Sequence, residues 1–382
     1  MAQASAGISG DGSARGGLIV RSAAIGLWLV LIALDFLIPD PITFAWRQVF
    51  ALMLAASGLA ACIAFLFAGH RFLAVLFAAA AGLAVWQDAQ PGIARRQVLG
   101  LTGADVIDVE RHFVVGYTDV AAIRELIRDS HIGGIFLARR NVAHRAADDV
   151  AAEIAGLQDL RRASGLPPLI VAADQEGGPV SHLSPPLPHP PALSKIAALP
   201  PDQQFEAARR GGFDQGRALR AMGITMDLAP VVDLMPDKTT NVDWNTRIAT
   251  RSISRDPAVV ATIASGFARG LLDAGITRTA KHFPGLSRVA VDTHLFGASL
   301  EAAESELQAA DWVPFQAVLG IPGAAIMLSH VALNAADAGI PVSQSKRVVS
   351  GLPRGQWGFD GVAITDDEPY STPVSAVRSR ER

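Results

Sequence analysis

Lys281, His282, Asp292 and His294 fall within a stretch of fourteen residues, directly after the apolar run Gly275 to Ala280. Polar groups emerging where an apolar run ends are placed as on a catalytic loop. Asp292 and His294 stand two apart, so in an extended or turn segment both side chains can face one way. A carboxylate beside an imidazole fixes its tautomer and favours the protonated ring, which gives a proton donor near neutral pH. The competing reading makes His294 a solvated loop histidine and Asp292 a turn former.

These residues need elements that bring them together. From about residue 98 onward short apolar runs alternate with longer amphipathic ones, the pattern of a parallel α/β fold. The expected strands are His112–Tyr117, Gly133–Leu137, Leu169–Ala173, Thr225–Val232, Thr277–Lys281, Ala324–Ser329 and Gly361–Thr365. Nearly all end in polar groups: Arg140-Asn141, Asp174-Gln175-Glu176, Asp233, Lys281-His282, His330 and Asp366-Asp367. A closed (β/α)8 barrel of the TIM type would gather these ends around one face, where such folds build their sites. An open doubly wound sheet would not. Seven strands are one short of that barrel, and 367–382 lacks apolar periodicity, so the expectation is a barrel truncated after its seventh strand with a tail behind it.

Several of these stretches, in this order, resemble glycoside hydrolase family 3 in its β-N-acetylglucosaminidase branch. The closest match is Lys281-His282-Phe283-Pro284-Gly285 with Asp292-Thr293-His294. Trp357-Gly358-Phe359-Asp360-Gly361 leading to Thr365-Asp366 is similar to that family's nucleophile signature, and Asp174-Gln175-Glu176-Gly177-Gly178 to a sugar-gripping motif. The resemblance implies a retaining glycosidase with Asp366 as nucleophile and His294, oriented by Asp292, as acid/base. It also implies sugar contacts from Asp174, Arg251, Lys281 and His282, with Glu176 shaping the turn and Asp233 and His330 in support. Retaining enzymes hold two catalytic groups roughly 5 Å apart on opposite faces of the sugar. Three departures stand out: Pro179 and His182 replace family arginines, Glu368-Pro369-Tyr370 replaces the family's continuation, and no eighth strand follows.

Half the residues are hydrophobic and the mean hydropathy is +0.30, and the excess lies in the first third. Gly17 to Ile38, Val49 to Ala68 and Phe72 to Trp86 are apolar runs, read as about three transmembrane helices within a membrane anchor over 1–90. The linker 91–97 would then lead to the hydrolase barrel over 98–366, with 367–382 as tail. Arg15, Arg21 and Arg71, against Arg47 in the first loop, set a charge bias that places the enzyme part outside the cytoplasm, whereas Arg95 and Arg96 oppose it. The expected location is therefore a multi-pass membrane one, with lipid as a partner.

The net charge of −3, with no basic run longer than a pair, excludes a nucleic-acid footprint. Cys62 is the only cysteine, which excludes internal disulfides. His282, Asp292, His294 and His330 lack metal-motif spacing, and no glycine-rich loop suits a nucleotide, so neither metal nor cofactor is expected. A carbohydrate substrate is expected, and nothing points to a protein partner. The implied activity is removal of terminal β-linked N-acetylglucosamine from amino-sugar glycans such as peptidoglycan fragments. The alternatives are an inactive remnant that binds glycan without hydrolysis, and a phosphorylase or β-glucosidase.

Overall fold

The computed structural model describes residues 41–72, 74–79, 81–82, 86, 109–129, 132–237, 246–293 and 297–366. They fall into two compact units, one within 1–101 and one within 102–369.

In the first unit Pro41–Phe67 is helical, and the helix ends at Gly69, whose φ of +77° suits glycine. Among the described residues no helix is long and apolar enough to cross a membrane. This corrects the expected anchor of about three transmembrane helices, and with it the multi-pass location and lipid as a partner. Val49 to Ala68 interleaves the small residues Ala51, Ala55, Ala56, Gly58, Ala60 and Ala61 with its larger apolar ones, and it is Leu, Ile, Phe and Val that favour insertion. The first expected span, 17–38, lies outside the described residues.

The second unit alternates strand and helix: β1 (Val114–Gly116), α1 (Val120–Asp129), β2 (Gly134–Leu137), α2 (Ala147–Ala163) and β3 (Ile170–Ala173). It continues with α3 (Pro201–Ala221), β4 (Met226–Asp227), α4 (Pro257–Asp273) and β5 (Thr277–Phe283). Then come α5 (Glu304–Ala309), α6 (Trp312–Leu319), β6 (Ala325–Leu328), α7 (Lys346–Val349) and β7 (Val362–Thr365). The helices start where their sequence allows: Pro201 opens α3, and Asp256 caps α4 by accepting from the Ala258 backbone at 2.8 Å ahead of Pro257.

All seven strands pair in parallel and in chain order. Right-handed crossovers in an unreversed order put every helix on one face, so the sheet must curl to cover the other. The two faces show in the packing. In β6 Ala325 and Met327 join an inner cluster with Ala172, Met226 and Leu228, while Ile326 and Leu328 join the larger core with Val171 and Ala173. That is the period of two of a pleated strand.

The sheet is a curled, open half-barrel, which corrects the expected (β/α)8 TIM-type barrel truncated after the seventh strand. Closure requires each strand to be paired on both sides. Among the described residues β1 pairs only with β2, and β7 only with β6. Val114 and Val362 on these edges are 37% and 48% exposed.

Two features stiffen the region that carries the polar strand ends. α3 and α4 pack backbone to backbone: a Cβ on Gly270 would lie 2.1 Å from the Arg209 carbonyl oxygen, and one on Gly212 2.2 Å from that of Phe267. Behind the end of β5, the Phe283 ring meets Phe315, Trp312 and Trp357 at centroid separations of 5.6, 6.0 and 5.5 Å. Trp312 Nε1 also donates to the Pro284 carbonyl at 3.0 Å, so the end of β5 is clamped by aromatic packing.

Candidate active site

The carboxy-terminal ends of the parallel strands share one edge, and strand alternation decides which side chains face inward. Ala172 belongs to the inner cluster, and two residues on stands Asp174; Ile364 packs against the same cluster, and two residues on stands Asp366. Lys281 projects inward from β5, where its neighbour Ala280 belongs to the outer core. The Asp366 backbone N donates to the Leu328 carbonyl at 2.9 Å, one step beyond the paired row Thr365, Leu328 and Phe283. Asp174, Lys281 and Asp366 therefore leave the same face at the same edge.

Lys281 is 2% exposed and its Nζ bridges two carboxylates, at 2.5 Å from Asp174 Oδ1 and 2.6 Å from Glu176 Oε1. Glu176 is also gripped by Arg251, Nε to Oε2 at 2.9 Å and Nη2 to Oε1 at 2.6 Å, the two-pronged geometry that guanidinium favours. Burial alone would raise the Glu176 carboxyl, but Lys281 and Arg251 outweigh it and hold it at about 2. Burial likewise works against the charges on Lys281 and Arg251, yet their carboxylate partners lift both above their usual values.

Arg251 extends the chain of contacts. Its Nη1 donates to the Thr246 carbonyl at 2.8 Å, and Nη2 lies 3.1 Å from His282 Nε2. His282 Nδ1 lies 2.7 Å from Asp233 Oδ2. Since guanidinium only donates, Nε2 accepts and Nδ1 carries the proton that Asp233 receives. Both ring nitrogens of His282 are thus engaged by protein groups.

Asp292 is fully buried, and its Oδ1 accepts from the Thr246 hydroxyl at 3.1 Å. His294, its expected partner, lies outside the described residues. His330 approaches the Asp366 backbone carbonyl through Nε2 at 3.3 Å and Ser343 Oγ through Nδ1 at 2.8 Å. The structure therefore brings together Asp174, Glu176, Arg251, Lys281, His282 and Asp233 in one contact chain, and joins His330 to Asp366. Among the described residues no group of three or more His, Cys, Asp or Glu side chains could hold a metal ion.

Sequence reasoning missed Asp227 and Gln215. Gln215 Nε2 donates to Asp227 Oδ2 at 2.8 Å and to the Gln175 carbonyl, while Asp227 Oδ1 accepts from the Gln175 backbone N at 3.1 Å. The pair holds the Gln175 backbone from both sides, and so sets the residues on either side of it, Asp174 and Glu176. Burial pushes the Asp227 carboxyl up to about 8, against the pull of its bonds from Gln215 and Gln175. An acid inside the apolar run Thr225–Val232 was the available signal; Gln215 gave none.

A curled parallel sheet with acids, a lysine and a histidine converging at its carboxy-terminal edge has clear relatives. Residues 109–376 match the model of the glycosyl hydrolase family 3 N terminal domain. A beta-hexosaminidase of Stenotrophomonas maltophilia (strain K279a) is 34% identical over 266 residues, covering 69% of this chain and 75% of that protein. Beta-hexosaminidase LpqI of Mycobacterium tuberculosis is 32% identical over 259 residues, covering 66% of this chain and 63% of that protein. Among solved structures, a family 3 β-N-acetylglucosaminidase from Paenibacillus sp. FPU-7 superposes with a TM-score of 0.61 at 32% identity, covering 68% of this chain and 48% of that one. Native NagZ from Neisseria gonorrhoeae superposes with a TM-score of 0.60 at 29% identity, covering 67% of this chain and 73% of that one. With its matched region extending over more than half its length, this chain belongs to glycosyl hydrolase family 3.

Proposed function

We propose that the chain is a retaining β-N-acetylglucosaminidase that removes terminal β-linked N-acetylglucosamine from amino-sugar glycans such as peptidoglycan fragments. The observation that carries this reading is the shared inner face of Asp174, Lys281 and Asp366, backed by the contact chain through Glu176, Arg251, His282 and Asp233. The names of the similar beta-hexosaminidases and β-N-acetylglucosaminidases support the substrate class. The functional unit we propose spans 98–366, behind a boundary at 91–97.

In the first step the Asp366 carboxylate attacks the anomeric carbon, the glycosidic bond breaks, and the His294 imidazolium gives its proton to the leaving oxygen. In the second, neutral His294 takes a proton from water, water attacks the same carbon, and the ester bond to Asp366 breaks. Two inversions give net retention, as for carboxylate-based glycosidases. Asp292, held by Thr246, orients His294. Asp174 and Lys281 meet the sugar, and Arg251 and His282 complete the floor of the subsite. An imidazole can both give and take a proton, which suits both of its roles.

The test is hydrolysis of an aryl β-N-acetylglucosaminide by the full chain, with the product anomer read by NMR in the first minutes. The expected product is the β-anomer, lost in Asp366→Asn. An α-anomer, or full activity in Asp366→Asn, contradicts the mechanism. Absence of turnover and of N-acetylglucosamine binding in the folded chain contradicts the substrate class.

A further inference from the structure

The loop that runs from the end of β5 to Asp292 is fastened along its length. Trp312 Nε1 donates to the Pro284 carbonyl, and Asp233 accepts from the Leu286 backbone N. A further fastening comes from Asp311, at the start of α6. The Ser287 hydroxyl donates to its Oδ1, and Arg288 Nε donates to its Oδ2 at 3.0 Å.

Asp311 stands at the N-cap position of α6, where an aspartate ordinarily accepts from a backbone N–H of the first turn. Its side chain makes no such bond and turns to the loop instead. The residue is buried, and a buried carboxylate keeps its charge only with partners; Ser287 and Arg288 supply them. Gly285 lets the two segments meet, since at its φ of +109° a Cβ would lie 3.4 Å from that of Asp311. Arg288 Nη1 also lies 3.5 Å from Glu306 Oε2, so residues of both α5 and α6 hold it.

Arg288 stands four positions before Asp292, which is itself buried and bonded to the Thr246 hydroxyl. A segment that short, tied at both ends, passes a shift at Arg288 on to Asp292. We propose that Asp311, acting through Ser287 and Arg288, is a positioning residue of the reaction: it sets the path of the loop to Asp292, and so the acid/base that Asp292 orients. This rests on the glycosidase reading above and adds to it a residue outside the contact chain.

The test is steady-state turnover of an aryl β-N-acetylglucosaminide with a good leaving group by the full chain, with and without azide, in Arg288→Ala and Asp311→Asn. Such a substrate needs little acid for the first step, so a misplaced acid/base slows mainly the second. In each variant kcat falls about tenfold, within the roughly 100-fold that a 1 Å misplacement can cost. KM falls with it, and kcat/KM stays within about threefold of wild type. Azide attacks the anomeric carbon without a base as the ester bond to Asp366 breaks, so it restores kcat and gives the β-azide. The double variant is no slower than the slower single one, as for two groups acting as a unit. The Arg288 side chain is 41% exposed, so its truncation leaves the thermal melt unchanged, and Arg288→Lys, which keeps a cationic donor, recovers most of the rate. Hydrogen exchange over 284–293 quickens in Asp311→Asn while that of α3 and α4 does not.

A lower kcat at unchanged KM, with no response to azide, is the mark of a partly inactive protein and overturns the proposal. Wild-type kcat in Arg288→Ala, or unchanged exchange over 284–293 in Asp311→Asn, overturns it as well. If the wild type cleaves no aryl glycoside, the glycosidase reading itself falls and takes the positioning role with it, whatever the exchange shows.

Discussion

Asp233 holds His282 at two points, its Oδ2 accepting from ring Nδ1 at 2.7 Å and from the backbone N at 3.0 Å. Its other oxygen accepts from the Leu286 backbone at 2.8 Å. One buried carboxylate therefore fixes both the ring tautomer and the path of the loop leading to Asp292. Asp233→Asn keeps the shape but turns one acceptor into a donor. We expect kcat/KM to fall roughly 10- to 100-fold, the scale for losing an orienting partner, with about 1–3 kcal/mol of stability lost. Steady-state rates beside a denaturant titration check both, and an unchanged kcat/KM removes His282 from the working site.

Glu176 gives the fold an acid limb. Its carboxyl sits at about 2 against an ordinary 4.5. A depressed folded value means that ionised Glu176 stabilises the fold above about pH 4.5, and that this contribution is lost as pH falls toward 2. The contribution is on the order of 3 kcal/mol. Denaturant midpoints measured from pH 7 to pH 2.5 should drop more steeply in wild type than in Glu176→Gln. Equal acid sensitivity would show that the Lys281 and Arg251 contacts contribute little.

Asp227 works in the opposite direction. Its folded value, about 8, is raised above an ordinary 3.8. Between these values the unfolded chain carries a charge that the folded chain refuses, so stability declines as pH rises from about 4 to 8 and is level above. Asp227→Asn cannot ionise and lacks this decline. Relative to wild type, the variant should gain stability on going from pH 4.5 to pH 8, by a few kcal/mol. A stability difference independent of pH would show that Asp227 is ionised throughout.

The contact of α3 with α4 leaves no room for a methyl group. Gly270→Ala places a carbon against the Arg209 carbonyl and the Phe213 backbone N, and forcing those helices apart should cost about 1–3 kcal/mol. For a unit of this size that lowers Tm by about 2–4 °C per kcal/mol. Gly211→Ala, whose Cβ meets nothing within 4 Å, serves as control and should not be destabilised.

The strand positions were legible because buried parallel strands read as short apolar runs, and nearly all of those runs end in polar residues that fall toward one edge of the sheet. Closure was not legible, since it depends on pairing between β1 and β7, more than two hundred residues apart. Glu176 before Gly177-Gly178 reads locally as part of a turn. Its bonds to Arg251 span 75 residues, and no local pattern carries them. Gln215 looks like any polar residue of a helix until α3 is laid against Gln175. In the amino-terminal third, the apolar runs were read by length and lack of charge, whereas among the described residues no helix is long and apolar enough to cross a membrane.

The central claim is that Asp366 is the nucleophile and His294 the acid/base. In His294→Ala the second step lacks its base, whereas an aryl glycoside with a good leaving group needs no acid for the first. The glycosyl-enzyme should therefore accumulate on mixing His294→Ala with such an N-acetylglucosaminide. Peptide mass spectrometry should find one N-acetylglucosaminyl unit esterified to Asp366, released on dilution into azide as the β-azide. No adduct under conditions where wild type turns over, or an adduct on another residue, contradicts the account.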